Sequence, residues 1–107
     1  MTQINLTALE LGTGAALPEL TALDGEGARI PFNAQDTKIL ILIENSSTTG
    51  SVTFKAGSGI QAVEDLTVEI AGGKTMAFVL ESGRYKRQGA VTVTGPTTMK
   101  AGALLLP

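Results

Sequence analysis

Several short segments of this chain carry residue types that could do chemistry, and the first is Gly72-Gly73-Lys74-Thr75. It looks like the end of a phosphate-binding loop, whose full pattern, G-x-x-x-x-G-K-[ST], cradles phosphate with backbone N–H groups ahead of a helix. The pattern needs glycine at position 68, where the chain has Val68, and residues 75–80 alternate in polarity as a strand does. We therefore predict a hairpin turn here and no phosphate site.

Carboxylates occur in two close groups, Glu64-Asp65 and the pair Asp24 and Glu26. Calcium takes six to eight oxygen ligands, and a glycosidase needs two carboxyl groups at a defined separation. Neither spacing matches such a site, so we predict solvated loops at both places.

Nucleophilic catalysis lacks its usual partners, because the chain contains no histidine and no cysteine. The serines therefore have no imidazole to activate them, and no thiolate, disulfide or Cys-ligated zinc can form. We predict that the chain is not an enzyme and has no catalytic residue, no metal ligand and no cofactor.

One local basic segment, Arg84-Tyr85-Lys86-Arg87, places three positive charges around an aromatic ring. Such a segment could stack on a base or hold a phosphate, or it could be a charged edge strand or a rim that docks on a protein. The net charge of −2 favours the protein-facing interpretation and predicts no nucleic-acid partner. No apolar run approaches the roughly 20 residues that span a bilayer, so we expect no membrane partner either.

The elements that would position these residues are short strands. Residues 39–43 form an apolar β-branched run, which suits a strand covered on both faces, and residues 51–55, 66–70, 75–80 and 91–94 alternate in polarity. Turn formers recur between them every 8–12 residues, which predicts hairpins within an all-β, antiparallel β-sandwich of jelly-roll or immunoglobulin-like type. We place the sandwich at residues 18–107 and expect residues 1–17 to be an extended N-terminal arm or a first strand.

Three segments of the second half, residues 55–68, 73–75 and 80–86, resemble small structural proteins of tailed bacteriophages and prophages. The shared patterns are a K-A-G-x-G-I-Q loop and an L-E-S-x-R-[FY]-K corner, and the resemblance covers about residues 38–107. It implies an auxiliary head protein that decorates the capsid, and its pattern includes no catalytic residue. The matching residues imply a contact between the loop and the corner; they are Gly57, Gly59, Ile60, Gln61, Glu81, Arg84 and Tyr85.

That resemblance implies a partner, the major capsid protein, and a location on the capsid surface after synthesis in the bacterial cytoplasm. We also expect a homo-oligomer, with a trimer as one option. Hydrophobic residues make up 43% and charged residues only 17%, so we expect a partner to cover apolar surface from residues 1–17 and from Leu104, Leu105 and Leu106. The alternatives are a tail or neck component and a carbohydrate- or receptor-binding module, although the single Tyr and absent Trp give the last little support.

Overall fold

Two β-sheets pack face to face in the computed structural model, which describes residues 2–14, 16, 19–46, 48–57, 64–87 and 89–107. The prediction of an all-β sandwich is confirmed. Most strand pairs are antiparallel, but each sheet also contains one parallel pair, so both sheets are mixed. Within the described residues there is no helix long and apolar enough to cross a membrane.

Sheet A has the order β1-β4-β10-β6-β7, and a short strand β9 also pairs with β10. Its strands are β1 (Thr2–Gln3), β4 (Ala28–Pro31), β6 (Gly50–Phe54), β7 (Leu66–Ile70), β9 (Lys86–Arg87) and β10 (Ala90–Thr94).

Sheet B has the order β2-β11-β5-β8, and β3 pairs with the same edge of β11 that β2 uses. Its strands are β2 (Leu6–Ala8), β3 (Thr21–Ala22), β5 (Ile39–Asn45), β8 (Lys74–Phe78) and β11 (Met99–Leu105). A 3-10 turn, Asp36–Lys38, precedes β5, and a single helical turn α1, Ser82–Tyr85, follows β8.

The core lies between the sheets and follows the two-residue period of the strands. In β5, Ile39, Ile41 and Ile43 are fully buried, while Leu40 and Leu42 on the opposite face are half-buried. The expectation that this strand is covered on both faces is therefore wrong for Leu40 and Leu42, because within the described residues sheet A packs against the opposite face. Phe54 of β6 and Phe78 of β8 join the sheets through an edge-to-face contact with ring centroids 4.9 Å apart.

The predicted hairpins are also wrong, because the tight turns join strands of different sheets. β5 belongs to sheet B and β6 to sheet A, and the same is true across the turns between β3 and β4 and between β7 and β8. At the first of these turns the buried Asn45 amide donates to the carbonyl oxygens of Thr48 and Ile70, both at 2.9 Å. At these three turns the chain changes sheet, whereas β9 and β10 pair with each other in sheet A.

The N-terminal segment contributes strands to both sheets of the sandwich. β1 pairs in parallel with β4 in sheet A, and β2 pairs in parallel with β11 in sheet B. Between them Ile4 is only 3% exposed and belongs to the core. Of the two options for residues 1–17, the structure gives residues 2–8 the role of first strands.

Candidate functional site

The corner that follows β8 is built from residues 81–86. The N–H groups of Arg84 and Tyr85 donate to the carbonyl oxygen of Glu81 at 3.1 and 3.3 Å, which closes the single turn of α1. The Arg84 guanidinium also donates through Nε to Glu81 Oε2 at 3.1 Å. Both side chains are about half exposed or more, at 49% and 68%, so this ion pair contributes little to stability.

Tyr85 faces the interior at this corner. It is 9% exposed and packs in the hydrophobic core, while the next two residues form β9 against β10. A buried ring has no free face on which a nucleic-acid base could stack. The first two residues of the basic segment thus belong to α1 and the last two form β9.

The loop after β6 meets this corner at Gly57. The Gly57 N–H donates to the carbonyl oxygen of Arg84 at 2.8 Å. A Cβ at position 57 would lie 2.6 Å from the Lys86 carbonyl oxygen and 3.0 Å from the Lys86 nitrogen, so the close approach requires glycine. The structure thus brings together Gly57, Glu81, Arg84 and Tyr85, whereas Gly59, Ile60 and Gln61 lie outside the described residues.

Asp65 holds the other end of the same loop. Its Oδ1 accepts from the backbone N–H of Ala56 at 2.7 Å, and its Oδ2 accepts from Lys55 Nζ at 3.4 Å. The Ala56 hydrogen bond, with a smaller contribution from the Lys55 charge, lowers the pKa of Asp65 below its usual value, against a partial opposing effect of desolvation. Its carboxylate therefore ties residue 65 to residues 55–56, across the whole loop.

The sequence did not single out this function of Asp65, which was expected to be a solvated carboxylate. The one available indication was its position directly before β7, where an Asp side chain commonly bonds backbone N–H groups of a turn. The long separation, nine residues back to Ala56, hid the partner.

The Asp24 carboxylate accepts comparable hydrogen bonds at the turn between β3 and β4. It accepts from the Glu26 N–H at 2.8 Å and from the Thr2 hydroxyl at 3.2 Å, and the Glu26 bond is the main cause of its lowered pKa. The described residues contain no group of three or more acidic side chains placed to hold a metal ion.

Leu104 and Leu105 lie in β11 of sheet B, and the N–H of Leu106 donates to the carbonyl oxygen of Lys38, so these leucines do not form a free apolar tail. Leu104 is 7% exposed and sits between Leu40 of β5 and Thr7 of β2, while Leu105 and Leu106 are half-buried. The expectation of partner-covered surface is thus corrected for Leu104, whose side chain is already covered within the chain.

A cleft of about 210 Å³ lies elsewhere, where the chain passes between the two sheets. It is lined by Gln3, Ile4, Asn5, Thr7, Glu19, Thr21, Ala101 and Gly102. These residues are distinct from the described loop and corner residues, so the cleft and the resemblance point to different parts of the molecule.

Comparison with protein-family models, curated proteins and solved structures finds no match. The geometry of the joined loop and corner is therefore the main structural guide to function. Physically, the hydrogen bonds join residues 55–57 to the corner and to Asp65, and the Glu81 and Arg84 side chains lie on the surface.

Proposed function

We propose that this chain is a non-enzymatic structural protein of a bacteriophage virion, which decorates the capsid by binding the major capsid protein. The observation that carries the proposal is the contact of Gly57 with the corner at residues 84–86. The loop and corner segments are the ones that resemble phage structural proteins, and they are far apart in the sequence but adjacent in the fold. The contact joins two of the segments that carry the resemblance, and the class of protein is proposed from the sequence pattern.

The surface supports a binding role at one end of the N-terminal segment. Residues 2–8 are held in the sheets, and the chain then turns outward at Leu11 and Gly12, where glycine has a φ of 82°. Leu11 is 87% exposed, one of two large apolar side chains that the described residues expose strongly. An apolar side chain on such a turn gains stability when a partner removes it from water.

The test is addition of the purified chain to capsids that lack it, followed by sedimentation and quantification of the bound chain. We expect saturable binding and capsids that resist heat or chelator better than undecorated ones. Absence of binding, together with absence of the chain from purified virions, would exclude the proposal. Cryo-electron microscopy of decorated particles separates the head position from the tail or neck alternative.

A pair of variants tests the role of the outward turn. Leu11→Ser should weaken capsid binding by roughly tenfold to 150-fold, since burial of a leucine contributes roughly 1.5–3 kcal/mol. Thr13→Ala, an exposed position two residues further along, should bind as the parent chain does. Equal affinity of the parent and Leu11→Ser chains would move the docking surface away from this turn.

A further inference from the structure

The open side of the sandwich is the side where β7 and β8 form the edges of the two sheets. In the described part of the chain, β8 pairs only with β5 and β7 only with β6. On the opposite side β1, β2 and β3 are only two or three residues long. Short edge strands leave few free backbone groups, whereas β7 and β8 each present five residues.

The two long edges differ in their protection against pairing. β7 carries the exposed Glu69 within the strand. β8 has one charge, Lys74, at its first residue, and residues 75–79 contain neither a charge nor a proline. Charges, prolines and bulges are the devices that keep edge strands from pairing, so β8 is the less protected of the two.

Apolar side chains accompany the free edge of β8 on both faces. Met76 and Phe78 point inward and are half-buried against the core, next to Leu66 and Val68 of β7. Val79, directly after the strand, is 53% exposed. The free backbone groups of β8 are therefore bordered by surface that burial would stabilise.

We propose that a second copy of this chain pairs with β8, strand to strand and antiparallel about a twofold axis at Ala77. In a sheet that continues from one copy into the other, residues directly opposite each other point to the same face. The twofold axis must therefore lie where inward-pointing residues of one copy are opposite inward-pointing residues of the other. An axis at Ala77 places Met76 opposite Phe78 of the second copy, and Thr75 opposite Val79. An axis at Met76 would instead place the Lys74 ammonium opposite the apolar Phe78.

Charge also favours the Ala77 axis. Lys74 then lies opposite Leu80 of the second copy, which is 7% exposed and already buried within its own chain, and near Glu81, whose side chain is 68% exposed. Met76 against an aromatic ring is a favourable contact, and the free N–H and C=O groups of two β8 strands bond each other. The surface is thus self-complementary, as a twofold interface must be. This inference goes beyond the proposed function, because it concerns the purified chain alone.

The first measurement is the molar mass of the purified chain by size-exclusion chromatography with light scattering, over a range of concentrations. We expect the mass of two chains, falling to the mass of one for Ala77→Glu, which brings two carboxylates together at the axis. Thr67→Glu, at an exposed position of β7, is the matched control and should retain the mass of two chains. Circular dichroism and thermal unfolding confirm that each variant is folded.

The register is tested by two double variants that differ at one position. Thr75→Lys with Val79→Glu places opposite charges across the proposed interface and should stay dimeric, whereas Thr75→Lys with Val79→Lys should be monomeric. Within one chain these positions are about 13 Å apart, beyond the screening length at physiological salt, so their direct interaction is weak. A monomeric or trimeric parent chain, a dimeric Ala77→Glu variant, or equal masses for the two double variants would each overturn the proposal.

Discussion

At the scale of single residues, two residues fix the loop that follows β6. Gly57 does so because it lacks a side chain, and Asp65 does so through its carboxylate. Gly57 lets the loop touch the backbone of the corner, and Asp65 accepts from the backbone N–H of Ala56 and from Lys55 Nζ. Both effects are local and independent of burial in the core. Each leads to a substitution whose effect on stability can be measured.

Gly57→Ala should destabilise the fold by about 1–3 kcal/mol, the usual range for an added methyl in closely packed surroundings. The reason is the 2.6 Å approach that the new Cβ would make to the Lys86 carbonyl oxygen. Urea unfolding measures the difference. Gly14→Ala is the control, because a Cβ there meets nothing within 4 Å, and its stability should stay within about 0.5 kcal/mol of the parent chain. Equal stabilities of the two variants would contradict the close contact.

Asp65→Asn should flatten the loss of stability in acid. The pKa of Asp65 in the folded chain lies below the usual value of 3.8, so its contribution is fully present above that pH. It is lost as the pH falls through the lower folded-state pKa, because protonation removes the charge that accepts the Ala56 and Lys55 hydrogen bonds.

Urea midpoints measured from about pH 6 to about pH 2 test this expectation. The parent chain should lose more stability over that interval than Asp65→Asn does, and Glu64→Gln, at the neighbouring residue, controls for removal of an exposed charge. Asp24 contributes with the same sign, so the variant keeps part of the dependence. Identical pH profiles for the parent chain and Asp65→Asn would show that these bonds contribute nothing.

At the scale of elements, the sequence predicts the strands well and their partners poorly. The apolar run at residues 39–43 and the alternation in residues 66–70 and 91–94 predict the strands β5, β7 and β10. The turns after β5 and β7 are equally visible in the sequence. A turn residue specifies reversal of the chain, but whether the next strand bonds its neighbour or faces it across the core depends on the other sheet.

The same limit applies to the candidate site. The resemblance named the corner residues and Gly57, and the structure places them in contact. The structural role of Asp65 could not be predicted from the sequence, because its partner Ala56 lies across a loop whose path no local pattern defines. The burial of Leu104 was missed because β11 lies inside sheet B, and a C-terminal apolar run gives no indication of that position.

The two faces of β5 predict a contrast between neighbouring residues. Ile41→Ala should lower the free energy of unfolding by about 2–5 kcal/mol, because Ile41 is fully buried between the sheets. Leu42→Ala, one residue further on the half-buried outer face, should cost clearly less. Chemical denaturation of both variants checks this, and an Ile41→Ala loss below about 1 kcal/mol would mean that β5 is not a core strand.

At the scale of the whole molecule, the N-terminal strands join the two sheets into one cooperative unit. Removal of residues 1–9 should therefore lower the melting temperature by at least roughly 10 °C, because it takes away the buried Ile4 and uncovers one edge of β11. Thermal unfolding followed by circular dichroism measures this. Gln3→Ala, at an exposed position of β1, should unfold close to the parent temperature. A truncated chain with an unchanged melting temperature would mean that the segment is a dispensable arm.

The position of β11 has a consequence for how the chain folds during synthesis. β11 pairs with β2, β3 and β5, so sheet B is assembled around the strand that the ribosome makes last among those described. Until residues 99–105 have left the exit tunnel, β2 and β3 have no strand to bond in sheet B. We expect the nascent chain to form only the β5–β8 pair of this sheet before β11 emerges, and the sandwich to close after that.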